Sequence, residues 1–121
     1  MQGDSPSMLS AIQMSAIMDN APIAVLVSAT DTRELLYLNR LANEFVRTMP
    51  PEQRLTCYQV AGFQQPCPFC SAGKLNRTEL FTRQYRHPVD QRIYQVSGKL
   101  IDWDGRPAQI EYSQFCSHSW Q

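Results

Sequence analysis

The hydrophobic pattern changes along the chain, from helical spacing near the start to strand alternation near the end. Apolar residues recur at helical spacing through residues 5–20, where Ser5 can cap a helix and Pro6 occupies its first position. Three methionines lie partly off the apolar face of this segment. We predict an N-terminal helical element over residues 1–20 that either packs on its own domain or forms a self-association surface.

Two apolar runs of strand length follow this helix. Residues 23–27 are continuously apolar, which suits a strand that is covered on both faces or lies centrally in a sheet, and residues 35–38 form a second strand. Asn39 then stands where a helix cap belongs, and apolar residues at helical spacing follow it. We predict a short helix there, ended by Met49 and the two prolines that follow it.

The last third of the chain alternates with a period of two. Residues 80–86, 92–103 and 108–116 are predicted strands, and Asp104 and Gly105 between the last two are a strong hairpin signal. In the last strand two sets of residues alternate. The set predicted to face the core is Ala108, Ile110 and Tyr112, and the set predicted to face solvent is Gln109, Glu111 and Ser113. Cys116 is in phase with the core-facing set.

The order of these elements predicts an α+β fold. Two opening strands and three closing strands can form one five-stranded antiparallel sheet with short helices on one face, preceded by the N-terminal helix. At 121 residues the chain has room for one ordinary domain, which we place at residues 21–118.

Charge and composition restrict the partners of the chain. Eleven basic residues balance eleven acidic ones, so no overall field attracts nucleic acid or anionic lipid. No apolar run reaches the roughly 20 residues that a membrane-spanning helix requires, and the N-terminal segment lacks the pattern of a signal peptide. We expect a cytoplasmic protein with no nucleic-acid partner and no membrane segment in this chain.

The element order, together with "LLYLNRLANEF" and "VSGKLIDWDGRPAQIEYSQF", resembles the PAS, or sensory box, domain family. The segment "CYQVAGFQQPCPFC" looks like the Cys-Tyr and Pro-Cys-x-x-Cys pattern of bacterial PAS domains attached to GGDEF-type diguanylate cyclases and histidine kinases. The resemblance implies a non-catalytic sensing and dimerising module with a small pocket under its helices. It also implies an output domain outside this chain, a diguanylate cyclase first and a histidine kinase second, and a homodimer formed through the N-terminal helix.

The cysteine cluster admits three interpretations. Cys57, Cys67 and Cys70 could bind zinc, with Cys116 or His87 as the fourth ligand, although the pair-plus-pair spacing of a secure zinc site is absent. Cys67 could instead form a reversible disulfide, because a helix that begins there would lower the pKa of its thiol. The cysteines could also only anchor a loop. A dithiol enzyme is disfavoured, because no βαβ unit surrounds the Cys-x-x-Cys sequence.

The same fold would place a pocket between the helices and the sheet. The predicted lining is Leu26, Tyr37, Phe45, Tyr58, Phe69, Leu75, Tyr85, Tyr94, Ile110 and Tyr112. These side chains suit a small ligand with a few polar atoms, or they fill the core completely. Haem-binding members of the PAS family usually supply a histidine from the short helix before the third strand, but no histidine occurs between Cys70 and Glu79, and His87 is expected to be solvated. The reactive-cysteine motif "NCRFLQ" of the flavin-binding members is also absent. We therefore predict neither haem nor flavin. No catalytic motif is found either.

Overall fold

The computed structural model describes residues 9–65, 74–88 and 90–116, and within these ranges the predicted order of elements is found. The helices are α1 (Ala11–Asp19), α2 (Arg40–Val46) and α3 (Cys57–Val60), with a 3₁₀ turn at Pro51–Gln53 before α3. The strands are β1 (Ala24–Ala29), β2 (Leu35–Leu38), β3 (Phe81–Arg86), β4 (Ile93–Trp103) and β5 (Arg106–Phe115). The start of the helix that was expected at Cys67 lies outside the described residues.

The five strands form one antiparallel sheet in the order β2-β1-β5-β4-β3. The first and last strands are neighbours at its centre, where Val27 lies opposite Ile110 and Ser28 lies opposite Gln109. Val27 and Ser28 point to opposite faces, and both are almost fully buried. The prediction of a five-stranded antiparallel sheet with short helices, and of a first strand that is covered on both faces, is therefore confirmed.

The hairpin between β4 and β5 turns at the predicted dipeptide. Asp104 and Gly105 both have positive φ, +50° and +79°. Two consecutive residues of this kind form a two-residue turn whose twist matches that of the flanking strands. Trp103 and Arg106 close the turn as a register pair, so β5 begins two residues earlier than the predicted strand at residue 108.

The assignment of a core face and a solvent face to β5 was wrong. Gln109 belongs to the predicted solvent-facing set, yet it is only 3% exposed, compared with 1% for its neighbour Ala108. Gln109, Glu111 and Ser113 lie on the face that α2 and α3 cover, where they line a cavity. Both faces of a central strand are covered in this sheet, so alternation of polar and apolar residues did not indicate exposure to water.

Helix α1 is shorter than predicted within the described residues. Ser10 is extended and caps the helix, because its hydroxyl accepts from the Gln13 N–H while the Gln13 side chain accepts from the Ser10 N–H. The predicted cap at Ser5 and the proline after it lie outside the described residues. None of the residues in α1 is buried. No helix in the described part of the chain is long and apolar enough to cross a membrane.

Asn39 joins α1, β1 and α2. Its side-chain oxygen accepts from the N–H groups of Val25 and Ala42, at 3.0 and 3.1 Å, and the second bond caps α2 as predicted. Its side-chain nitrogen donates to the carbonyls of Met18 and Ile23, at 2.8 and 3.0 Å. The residue is 0% exposed. One buried amide thus uses two donor and two acceptor positions to hold three elements together.

Candidate ligand-binding site

A cavity of about 610 Å³ lies between the sheet and helices α2 and α3. The volume is within the usual range for pockets that bind small molecules. Its wall combines apolar and aromatic side chains with a few polar ones, and among the described residues it comprises Pro22, Ala24, Leu26, Leu41, Ala42, Glu44, Phe45, Cys57, Val60, Ala61, Arg83, Tyr85, His87, Tyr94, Val96, Gln109, Glu111, Ser113, Gln114 and Phe115.

A largely buried ion pair forms the polar part of this wall. Arg83 on β3 donates from Nη2 to Glu111 Oε2 on β5 at 2.9 Å, and the two side chains are 18% and 14% exposed. The pair spans β4, in which Val96 lies opposite Arg83 and Gly98 lies opposite Glu111. Because Gly98 has no side chain, nothing projects from β4 beside Glu111. A Cβ at Gly98 would lie 3.6 Å from Glu111 Cγ and 3.3 Å from Leu75 Cδ2.

Among the residues that the structure describes, three buried polar atoms in the same wall have no hydrogen-bond partner. They are Nε and Nη1 of Arg83 and Oε1 of Gln109. Buried polar atoms are normally hydrogen-bonded, since leaving one unpaired costs about 1–3 kcal/mol. Unpaired atoms of this kind beside a cavity indicate where a ligand or water can form hydrogen bonds.

Aromatic rings line the wall near the end of β3. The ring centroids of Tyr85 and Tyr94 are 6.1 Å apart, and Phe45 meets His87 edge-on at 5.7 Å. His87 was predicted to be solvated, but it is 3% exposed, and its Nε2 lies 3.1 Å from the Val60 carbonyl oxygen. Gly62 explains how α3 approaches this imidazole so closely: a Cβ there would lie 2.9 Å from His87 Cε1.

The surroundings of Tyr94 disfavour ionisation of its hydroxyl. It donates to Asp90 Oδ2 at 2.6 Å. Burial and then this hydrogen bond raise the pKa of Tyr94 to about 12. Burial alone would raise the pKa of Asp90, but the hydrogen bonds from Tyr94 and the Arg92 N–H outweigh it, so that pKa lies below its ordinary value. Tyr94 is therefore neutral and Asp90 ionised at neutral pH.

The structure brings four of the ten predicted pocket residues together in the cavity wall: Leu26, Phe45, Tyr85 and Tyr94. Tyr37 instead lies against Trp103, with ring centroids 6.0 Å apart, and Leu75 packs over Gly98. Ile110 and Tyr112 alternate with the cavity-lining residues of β5 and lie on its other face, Tyr58 is half-buried in α3, and Phe69 is outside the described residues. Ligand binding by any of the ten remains a prediction.

Sequence reasoning missed the polar residues of the cavity. A signal was present, because Phe81, Arg83 and Tyr85 occupy every second position of β3 and must share one face. A charged side chain in phase with aromatic ones on a strand indicates a partner on that face, and Glu111 is that partner.

The predicted zinc set cannot be assembled from the described residues. Cys57 begins α3 and lies in the cavity wall, whereas Cys67 and Cys70 are outside the described residues. Cys116 is half-buried and free, and its sulfur lies 3.7 Å from Gln84 Nε2. In the described part of the chain, no three His, Cys, Asp or Glu residues are grouped as metal ligands.

Comparison with known proteins rests on structure alone, since no family model and no curated protein matches the sequence. The PAS domain of nitrogen regulation protein NR(II) from Vibrio parahaemolyticus matches with a TM-score of 0.57 at 14% identity, over 85% of this chain and 97% of that one. The chain has a PAS-like fold.

Two other PAS domains support this classification. That of an HTR-like protein from Haloarcula marismortui has a TM-score of 0.54 at 14% identity, and the match covers 88% of this chain and 91% of that chain. That of a two-component sensor histidine kinase has a TM-score of 0.52 at 14% identity, covering 85% and 93%. At this identity the comparisons show a shared PAS-like fold.

Proposed function

We propose that this chain is a sensory module of a signal-transduction protein, which binds a small molecule between its helices and its sheet. The cavity carries this proposal, because it combines a volume of about 610 Å³ with apolar walls and a few buried polar groups. The PAS-like neighbours support a regulatory rather than a catalytic role.

Native mass spectrometry of the purified chain, under gentle conditions, tests ligand binding. We expect a co-purifying small molecule that is lost from the variant Ala61→Phe, because Ala61 lines the cavity and a phenyl ring there would occupy it. Ala11→Phe makes the same change on the exposed helix α1 and should retain the molecule. Equal occupancy in both variants would contradict binding in the cavity.

A homodimer through α1 is the second part of the proposal. Ile12, Met14 and Ile17 are 82%, 51% and 57% exposed, although apolar side chains on a helix normally cover another surface. We expect a dimer by light scattering that dissociates when Ile12 and Ile17 are both changed to Glu, and that persists in the exposed control Ser15→Glu on the same helix. A double variant with unchanged dimer mass would contradict an interface at α1.

The output and location follow from the sequence resemblance. We propose a diguanylate cyclase as the output domain, with a histidine kinase as the alternative, in the cytoplasm. Fusing the chain to a cyclase domain and comparing its activity in wild type and Ala61→Phe would test the coupling.

A thiol or zinc module is the alternative function, favoured by the position of Cys57 in the cavity wall. Zinc analysis and thiol titration of freshly purified protein distinguish this alternative from the sensory module. Stoichiometric zinc without titratable thiols would favour a metal site at Cys57, Cys67 and Cys70, whereas four thiols without metal would favour the sensory module.

A further inference from the structure

We propose that the cavity recognises an uncharged aromatic ligand that carries an amide-like group, with a hydrogen-bond acceptor for Arg83 and a donor for Gln109. The inference rests on the proposed function and specifies the ligand class of the same site. It follows from the balance of charge and of hydrogen bonds among the buried polar groups.

The charge of the wall argues against an anionic ligand. Arg83 is already neutralised by Glu111 at 2.9 Å. Glu44 also lines the cavity, but it is 53% exposed and pairs with Arg40 at 3.4 Å, so this pair adds no net charge that would attract an anion. A bound carboxylate would place a second negative charge around one guanidinium group in a site of reduced dielectric constant, where like charges repel strongly. Because Glu111 is paired with Arg83, its carboxylate is not available to neutralise a cationic ligand either.

The unpaired atoms define the polar end of the ligand. Nε and Nη1 of Arg83 are donors that require an acceptor, and Oε1 of Gln109 is an acceptor that requires a donor. Arg83 reaches Glu111 at 2.9 Å, and Gln109 lies two residues from Glu111 on the same face of β5, roughly 7 Å along the strand, so Arg83 and Gln109 face one stretch of the cavity wall. A carboxylate offers acceptors only, whereas a primary amide or lactam offers a carbonyl and an N–H side by side.

The rest of the wall suits an aromatic body. Phe45, Tyr85 and Tyr94 surround the part of the cavity near the end of β3. Aromatic rings pack edge-on or offset at centroid distances of about 4.5–7 Å, so a planar ligand ring can join this cluster.

Four probes that share a phenyl ring and differ in its substituent test the proposal: benzamide, benzoate, benzylammonium and toluene, each titrated into the full chain and followed by NMR. We expect benzamide to bind most tightly of the four. In Gln109→Leu its affinity should fall roughly fivefold or more, the effect of one buried hydrogen bond, while toluene binding is unchanged. Gln95→Leu, a Gln-to-Leu change on the other face of the sheet, should bind benzamide like the unmodified chain.

A second variant keeps the test independent of folding defects. Removing Arg83 alone would leave Glu111 buried without its partner, so we pair Arg83→Met with Glu111→Leu, because apolar replacement of a whole buried ion pair is often tolerated. This double variant should bind toluene and lose the preference for benzamide over toluene. Retention of that preference would show that Arg83 plays no part in recognition.

The outcomes distinguish this inference from the proposed function. If benzoate or benzylammonium binds most tightly, or toluene binds as well as benzamide, the ligand class is wrong and the cavity remains a binding site. If none of the probes binds but native mass spectrometry shows a co-purifying molecule, the ligand class is again wrong. If no probe binds and no molecule co-purifies, both proposals fail.

Discussion

Replacing Asn39 with Ala should destabilise the fold more than any other single change outside the cavity that we consider. Four hydrogen bonds are lost together, from Val25 N–H and Ala42 N–H and to the carbonyls of Met18 and Ile23. Loss of a hydrogen bond removes about 1 kcal/mol, and a group left buried without a partner costs about 1–3 kcal/mol. The bonds to Val25 and Ala42 are buried, and the other two are partly buried, so we expect a total loss of roughly 3–5 kcal/mol.

This loss is large relative to the free energy of unfolding of an ordinary domain, about 5–15 kcal/mol. Urea denaturation followed by circular dichroism measures it directly. Asn43→Ala is the matched control, because Asn43 is exposed one turn later on α2 and its substitution should change stability by no more than about 0.5 kcal/mol. A loss below about 1 kcal/mol in Asn39→Ala would refute the assignment of Asn39 as a joint between three elements.

Asn39→Asp separates the hydrogen bonds that the Asn39 side chain accepts from those that it donates. The carboxylate can still accept from Val25 and Ala42, but it cannot donate to Met18 or Ile23, so the tie to α1 is lost. Hydrogen exchange should therefore quicken in α1 and remain slow in α2. Uniform protection of α1 would contradict this separation.

The remaining predictions concern the tyrosine and glycines near the cavity and the hairpin. Because the folded state raises the pKa of Tyr94 to about 12, the unfolded chain ionises first, and stability should fall as pH rises from about 10 towards 12. Tyr94→Phe should abolish that component of the decline in pH-dependent urea denaturation; an unchanged slope would contradict it. It should also raise the pKa of Asp90, measured by carboxyl NMR, and an unchanged value would show that the hydrogen bond does not hold it down. Gly62→Ala should destabilise far more than Gly105→Ala, since both glycines have positive φ but only the Gly62 Cβ would meet His87, at 2.9 Å. Equal unfolding midpoints would contradict the close contact.

The sheet was predictable because its local signals agree. Residues 35–38 coincide with β2, and the Asp104-Gly105 turn determines the register of β4 and β5. Asn39 was predicted as a cap because Asn is common there, but its bonds to Met18 and Ile23 join residues 21 and 16 positions apart, respectively. Local preference contains no information on such tertiary contacts.

The candidate site was less predictable because its polar residues break the rule that alternation indicates exposure. Gln109 and Glu111 alternate with apolar residues as they would on a solvated strand, yet they face the cavity. Only the partner across the sheet distinguishes the two cases, and Arg83 is 28 residues from Glu111. The position of His87 depended in the same way on Val60 in α3, 27 residues away.

The central pairing of β1 with β5 has a consequence for biosynthesis. A ribosome releases β1 and β2 early, but the inner edge of β1 has no partner until Arg106–Phe115 has been translated. Non-local strand pairing of this kind slows folding and leaves hydrogen-bonding edges open to aggregation. Nascent chains that stop before Arg106 therefore lack the middle of their sheet and should be substrates for chaperones and proteases, whereas addition of the last strand completes the fold cooperatively.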